Sequence, residues 1–383
     1  MSETEQLVTP IAFPPAVLAR ISPELSLQRH LAIGIRPNLR KFEEFRPIHI
    51  TDGGLSRYSN EEIKESLILG SSVLKSGNTT IITTINASLI EEDLPAENIN
   101  EDAAAVNAVF AQQKKLEEES THGSLKDAAS IYPNVEVERG RTGPPTDEEM
   151  ILSQKLYHTF LHSGILSKQA LKVNVGLRSI NEKGETEFYY HDPNDEDSME
   201  VTPKRSWSFV LYANVKVFNR SGPLFDLVWA SLLSALKSTN LPQTYIDENA
   251  IDIRIPVKLH NNAGTIREQY SITCDPVNSY HLKLNQEAIG FSSNFGVVDI
   301  DEESFETVDT EDKMDIDSQT VLLTEIEGEE EETTIKKTIN IIVDQSSDNL
   351  KSLTLIGGID RDELRKSIQL AKIRSNELIK LIK

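Results

Sequence analysis

Residues 135–150, VEVERGRTGPPTDEEM, set Arg139 and Arg141 around Gly140, then Gly143-Pro144-Pro145, then Thr146-Asp147-Glu148-Glu149. Guanidinium forks hold phosphate oxygens through paired charge-assisted hydrogen bonds, and a glycine lets the chain turn or bulge between them. Thr146 and Glu149 have capping-box spacing, and acids in a first helical turn suit the helix dipole. Three chemistries fit: a phosphate-handling active site, a passive cradle for a polyanion, or an ordinary capped helix.

Other constellations carry less. His158 and His162 stand four apart on an expected helix, but Thr159, Phe160 and Leu161 lie between them and no nearby carboxylate completes a metal site. DPNDEDSME lacks glycine at the sixth position of a calcium loop and meets Pro203 at the twelfth. DKMDID reads as a solvated acidic tract. No P-loop, dinucleotide fingerprint, zincin helix or nucleophile elbow occurs, so neither metal nor cofactor is expected. The single cysteine, Cys274 in YSITCD, is expected to be a buried strand residue in a reducing compartment. MSETEQLVTP lacks the basic and apolar regions of a secretory signal, and no apolar run approaches the ~20 residues of a membrane helix. No membrane association is expected.

The formal charge of −22 opposes nucleic-acid binding only at first sight. Residues 91–120, 181–205 and 299–332 hold 33 of the 61 acids and 6 of the 39 bases, leaving +5 on the remainder. A local field decides polyanion binding, so RNA stays open to the body of the chain. Residues 91–126 read as an acidic surface insertion, and 299–319 as an acidic insertion expected to be disordered.

The elements that position these residues alternate in type. FPPAVLARISPELSLQRHLAIGIRP predicts two short helical pieces broken at Pro23, with Ser22 as cap. FRPIHIT alternates as a strand, and β-branched runs around SGN predict a hairpin over 70–89. YPNVEVE is a strand with Val135 and Val137 on one face. A helix then runs from Thr146 to about Ser163, with an apolar stripe of Met150, Ser153, Tyr157, Phe160 and Ile165. ALKVNVGLRSI and SWSFVLYANVKVF are strands. Leu224–Lys237 is apolar nearly all round and must lie between layers. Strands follow near 251–258, 268–274, 321–326, 335–343 and 352–356, and a basic amphipathic helix begins at Asp360. The pattern predicts one α+β fold of two sheet-and-helix halves closed by a C-terminal helix.

GIRPNLRKFEEFRPIHITDGGLSRY with LGSSVLKSGNTTIITTI resembles the N-terminal signature of the RNase PH family. VKVFNRSGPLFDLVWASLLSALKSTNLP resembles its second block, in the form found in non-catalytic subunits of the RNA exosome ring. The resemblance implies a ribosomal-protein-S5-like fold (the domain 2 type) over a single domain, 1–383. It implies a hexameric ring with a central channel for single-stranded RNA, built with other RNase PH-like subunits, S1/KH-type cap subunits and a hydrolytic exoribonuclease. It further implies a nuclear, nucleolar and cytoplasmic location.

In active members phosphate attacks the 3′-terminal phosphodiester, aided by an arginine loop before a helix, a strand aspartate and an Asp-Gly-Gly turn. By that resemblance, Pro145 stands for the arginine, Asn214 for the strand acid and Arg220 for the turn acid. No Asp or Glu lies between Trp207 and Leu224. The expectation is a catalytically silent subunit. Arg139 and Arg141 are the candidate RNA contacts, and Lys172 and Arg178 are weaker ones. Arg36, Arg40, Lys41 and Arg46, interleaved with Glu43 and Glu44, are expected to pair locally. The alternatives are an active phosphate-dependent 3′–5′ exoribonuclease of this family and a free-standing RNA-binding protein.

Overall fold

The computed structural model describes residues 14–58, 66–92, 128–140, 143–180, 186–190, 206–247, 272–300, 320–344 and 349–382. Most of both expected acidic insertions, together with Arg141 and the strand expected near 251–258, lies outside the described residues.

The N-terminal arm forms α1 (Pro15–Ile21) and α2 (Pro23–Ala32), which meet at Ser22, where the proline cannot continue the preceding helix. β1 (Ile48–Asp52), β2 (Gly70–Ser76), β3 (Thr79–Glu92) and β4 (Tyr132–Glu138) then enter the first sheet. α3 (Asp147–Ser163), the single turn α4 (Lys168–Leu171) and the two-residue β5 (Lys172–Val173) follow. β6 (Val175–Ile180) and β7 (Thr186–Tyr189) precede the 13-residue β8 (Ser206–Phe218) and α5 (Phe225–Lys237). β9 (Asn240–Asp247), β10 (Ile272–His281), β11 (Gly290–Asp299), β12 (Thr320–Thr324), α6 (Gly328–Thr334), β13 (Lys337–Asp344), β14 (Leu350–Ile356) and α7 (Arg361–Ile382) complete the described chain.

The first sheet has the order β1-β2-β3-β8-β4, with β5 paired to the start of β8; β4 runs parallel to β8. A second, β12-β11-β13-β14, makes the other half, and a third, β10-β9-β6-β7, stands beside them. α5 packs on β2 and β3 and on β11. Its burial from Leu227 through Leu236 follows from apolar residues on every side. Its few polar groups are satisfied: Ser231 joins Ser72 and Thr83 at 2.8 and 2.7 Å, and Trp229 Nε1 donates to the Gly290 carbonyl at 2.8 Å. Gly70 lets β2 approach this helix, because a Cβ there would stand 2.7 Å from the Ala235 carbonyl oxygen.

Two expectations fall at side-chain level. The apolar face that α3 buries is Leu152, Leu156 and Phe160; of the expected stripe Phe160 and Ile165 are buried, whereas Met150 is 51% exposed. Cys274 is exposed, because β10 is an edge strand with an open face. The basic arm does form ion pairs, but mainly with distant acids. Arg36, fully buried, binds Glu331 through Nε at 2.8 Å and the Thr324 and Glu325 carbonyls at 2.6 and 2.9 Å. Glu325 accepts from the Arg46 backbone N–H at 2.8 Å and from Arg374 of α7 at 3.1 Å. Arg40 reaches Glu327 at 2.8 Å, and Glu43 pairs with Lys366 of α7 at 2.6 Å. Acids at 325–331 that read as surface charge therefore clamp the arm and the C-terminal helix to the second sheet.

Candidate functional site: the corner between β4 and α3

β4 is an edge strand, so its outward N–H groups need partners, and α3 supplies them. Val135 N–H donates to Ser153 Oγ at 3.2 Å and Val137 N–H to Glu149 Oε1 at 2.8 Å. Glu149 Oε2 accepts from Thr146 N–H at 2.5 Å and from the Thr146 hydroxyl at 2.9 Å. The expected capping-box acid is thus also the strap between strand and helix. Burial pushes the Glu149 carboxyl upward. The Thr146 and Val137 N–H groups, the Thr146 hydroxyl and the Arg139 charge outweigh burial and hold it below the usual carboxylate range.

Above this corner lies a cavity of about 930 Å³ bounded by β4, Arg139, Gly140, Gly143, Pro144, Pro145 and Thr146. Gly140 takes φ +73°, the left-handed turn its position requires. Pro144 and Pro145 offer no N–H to an anion at the helix mouth. Arg139 Nη2 donates to Glu148 Oε2 at 3.0 Å. The same carboxylate accepts from Arg220 Nε at 2.7 Å, and Arg220 grips Glu332 of α6 with both terminal nitrogens, Nη1 at 3.0 Å. Burial disfavours the Arg220 charge, but hydrogen bonds to Glu332 and Glu148 more than compensate and raise its pKa. The result is a chain of alternating charge, Arg139–Glu148–Arg220–Glu332, across four elements.

Arg220 is presented by the β8–α5 turn. Asn219 takes φ +54° and Gly222 φ +80°, and a Cβ on Gly222 would stand 2.3 Å from the Ile326 carbonyl oxygen. Asn214 lies six residues before Arg220 on β8, half-buried, between Thr84 and Asn134. Pro145 lines the cavity, and Arg220 joins it through Glu148. Lys172 and Arg178 are elsewhere. Lys172 pairs with Ser208, ten strand residues from Phe218, or about 33 Å away. Arg178 belongs to the third sheet, with its guanidinium 5.8 Å from the Tyr245 ring centroid.

Sequence reasoning missed Asp226, two residues beyond Leu224. Although the residue keeps some exposed surface, its carboxyl lies inside the protein. It accepts from Ser292 Oγ at 2.5 Å and Asn340 Nδ2 at 3.0 Å, and burial raises it to about 6 against those hydrogen bonds. The space beside it is about 10 Å³, room for no more than one water, so this carboxyl braces α5 against β11 and β13. His158 stacks edge-on against Tyr157, with centroids 5.5 Å apart. Among the described residues no three His, Cys, Asp or Glu side chains are grouped to hold a metal, and no helix is long and apolar enough to cross a membrane.

The profile of the 3′ exoribonuclease family, domain 1, matches residues 44–242, which contain β1 to β8, α5 and the corner just described apart from Glu332. The chain belongs to the RNase PH family. It is 26% identical over 247 residues to exosome complex component rrp43 of Schizosaccharomyces pombe, a stretch covering 63% of this chain and 66% of that relative, just under two thirds of its length. The RNase PH fold extends beyond the matched profile. An Archaeoglobus fulgidus exosome chain, solved with RNA bound to the active site, superposes with a TM-score of 0.53 at 14% identity, covering 96% of this chain and all of that one. An archaeal exosome core chain gives 0.51 at 14% identity, covering 97% and 100%. Both likenesses describe the fold.

Proposed function

We propose that this RNase PH chain is a catalytically inactive structural subunit of the RNA exosome core ring. It would help form the channel that threads single-stranded RNA to a separate 3′–5′ nuclease in rRNA maturation and RNA turnover. Its partners in this reading are other RNase PH-like ring subunits, S1/KH-type cap subunits and a hydrolytic exoribonuclease, in nucleus, nucleolus and cytoplasm. Membership of the family and likeness to rrp43 support the ring.

One observation carries the inactive reading. At the turn where the family resemblance expects an acid stands Arg220, and its guanidinium holds Glu148 and Glu332. Phosphorolysis needs a free anion cradle and developing charge stabilised at the scissile bond. Here Glu148 neutralises Arg139 at the cavity wall and shares Arg220 with Glu332 instead. Among the described residues Arg139 makes one side-chain bond, to Glu148, which uses one of its five N–H donors. It would guide a phosphate backbone past the corner without reading sequence, with Arg141 as the second candidate.

Native mass spectrometry of the complex captured through a tag on this chain tests the proposal. The expected mass is an assembly of different RNase PH-fold chains holding one copy of this one. A lone chain or a ring of identical copies would contradict it.

A further inference from the structure

The open face of β4 and β8 carries an aromatic surface that the ion-pair chain does not use. Tyr132 and Tyr212 are register partners on these strands, so their rings stand side by side with centroids 5.7 Å apart and planes tilted by 30°. Tyr157 of α3 lies on Tyr132 as well, at 5.7 Å and 31°. Tyr132 is 51% exposed and Tyr212 40%. A surface assembled from three elements into one run of phenol rings, left open, has area to offer a planar ligand.

Its surroundings narrow the ligand. Asn134 and Asn214, the next outward pair along the same strands, set amide donors and acceptors beside the rings. A concavity of about 510 Å³ is lined by Tyr132 and Tyr157 and shares Asn134, Val135, Pro145 and Glu149 with the cavity that ends at Arg139. One groove therefore runs along β4, rings at one end and guanidinium at the other, about 23 Å apart over seven strand residues. Glu136 and Glu138 lie between, both within reach of Lys216 at 3.3 and 3.7 Å. The middle of the groove thus has no strong positive field, and attraction at the ring end must come from stacking.

We infer that Tyr132, Tyr157 and Tyr212 form a base-stacking platform for single-stranded RNA, continuing along β4 the path that begins at Arg139. The inference rests on the RNA-guiding reading above. Aromatic faces accept every base, because each base has a π-face, so the platform is tolerant of sequence. The stacking contribution has its own signature: it depends on the bases, whereas salt acts on the phosphate contacts that both kinds of oligomer share.

The test is fluorescence anisotropy of the full chain with a short RNA oligomer and with a ribose-phosphate oligomer of equal length carrying no bases, at low and physiological salt. The expected result is about tenfold tighter binding of the RNA, with the ratio little changed by salt. Tyr132→Ala with Tyr212→Ala should collapse that ratio toward one, and Tyr132→Phe with Tyr212→Phe should keep it. Equal binding of the two oligomers by the native chain overturns the platform while leaving phosphate guidance by Arg139 standing. No binding of either overturns both. If the double alanine variant keeps its base dependence but loses association with other subunits, the tyrosines are a protein contact and the platform is overturned.

Discussion

Glu148 is the residue on which the corner turns, since it bridges Arg139 and Arg220. Both arginines are a quarter to a third exposed, so these pairs add little stability; each contributes of order 0–1 kcal/mol after solvent screening. Their effect is on what the arginines can bind. Glu148→Gln is expected to release charge toward the cavity and raise crosslinking of RNA to the Arg139 segment severalfold, whereas Arg139→Glu should lower it, with the fold intact in both. Unchanged crosslinking in both variants would remove Arg139 from the RNA path. Asp226 makes a separate, pH-dependent prediction. Its carboxyl ionises at about 6 in the folded chain and near the ordinary aspartate value when unfolded. The native state thus holds the extra proton between about pH 4 and 6, and stability must fall as pH rises across that window, by on the order of 3 kcal/mol. Asp226→Asn, which keeps an acceptor for Ser292 and Asn340, should flatten that part of the profile in urea titrations. Glu149 acts with the opposite sign: its depressed carboxyl stabilises above its unfolded value and loses that contribution as pH falls through the folded one.

Elements show which parts of the fold could be read in one dimension. The β2–β3 hairpin, β8, the cap of α3 and the buried α5 were legible because each carries its own signal of turn residues, alternation or apolar content. β9 and β11 were not. NLPQTYID carries a proline, and GFSSNFGVVD is buried on both faces, so its small polar residues break any alternation. At the corner, Arg139, Pro145, Asn214 and Arg220 could be named from sequence, but the Glu148–Arg220–Glu332 bridge could not. Its partners are 72 and 112 residues from Arg220, and an acidic run such as GEEEETT reads as solvent-facing until its partners are placed. The same run hides Glu331, whose pairing with Arg36 ties the N-terminal arm to α6. Both groups are fully buried, so Arg36→Ala leaves a buried unpaired carboxylate and should cost ~3–5 kcal/mol of stability, read from urea titrations. Arg36→Met with Glu331→Leu should recover most of that loss, and equal losses in both variants would show that the pair is not what holds the arm.

At the scale of the molecule, the charge of −22 divides between two uses. Part of it lies in the acidic stretches at 91–120, 181–205 and 299–319, and part is wired inward, with Glu325, Glu327 and Glu331 binding four arginines from the arm and α7. The body that remains presents one groove along β4, with arginine at one end and tyrosine at the other. A ring subunit needs such a body: a stable scaffold, open edges for neighbours, and a surface that lets RNA pass without cutting it. The central claim is that this scaffold does no chemistry of its own, and the direct measurement is phosphorolysis. The purified chain would be incubated with 3′-labelled RNA, inorganic phosphate and magnesium, and the nucleoside diphosphate released would be quantified. The account predicts none above a no-protein control, in the native chain and in Arg220→Asp alike. Release by the native chain that vanishes when Asn214 or Arg220 is replaced by alanine would contradict it.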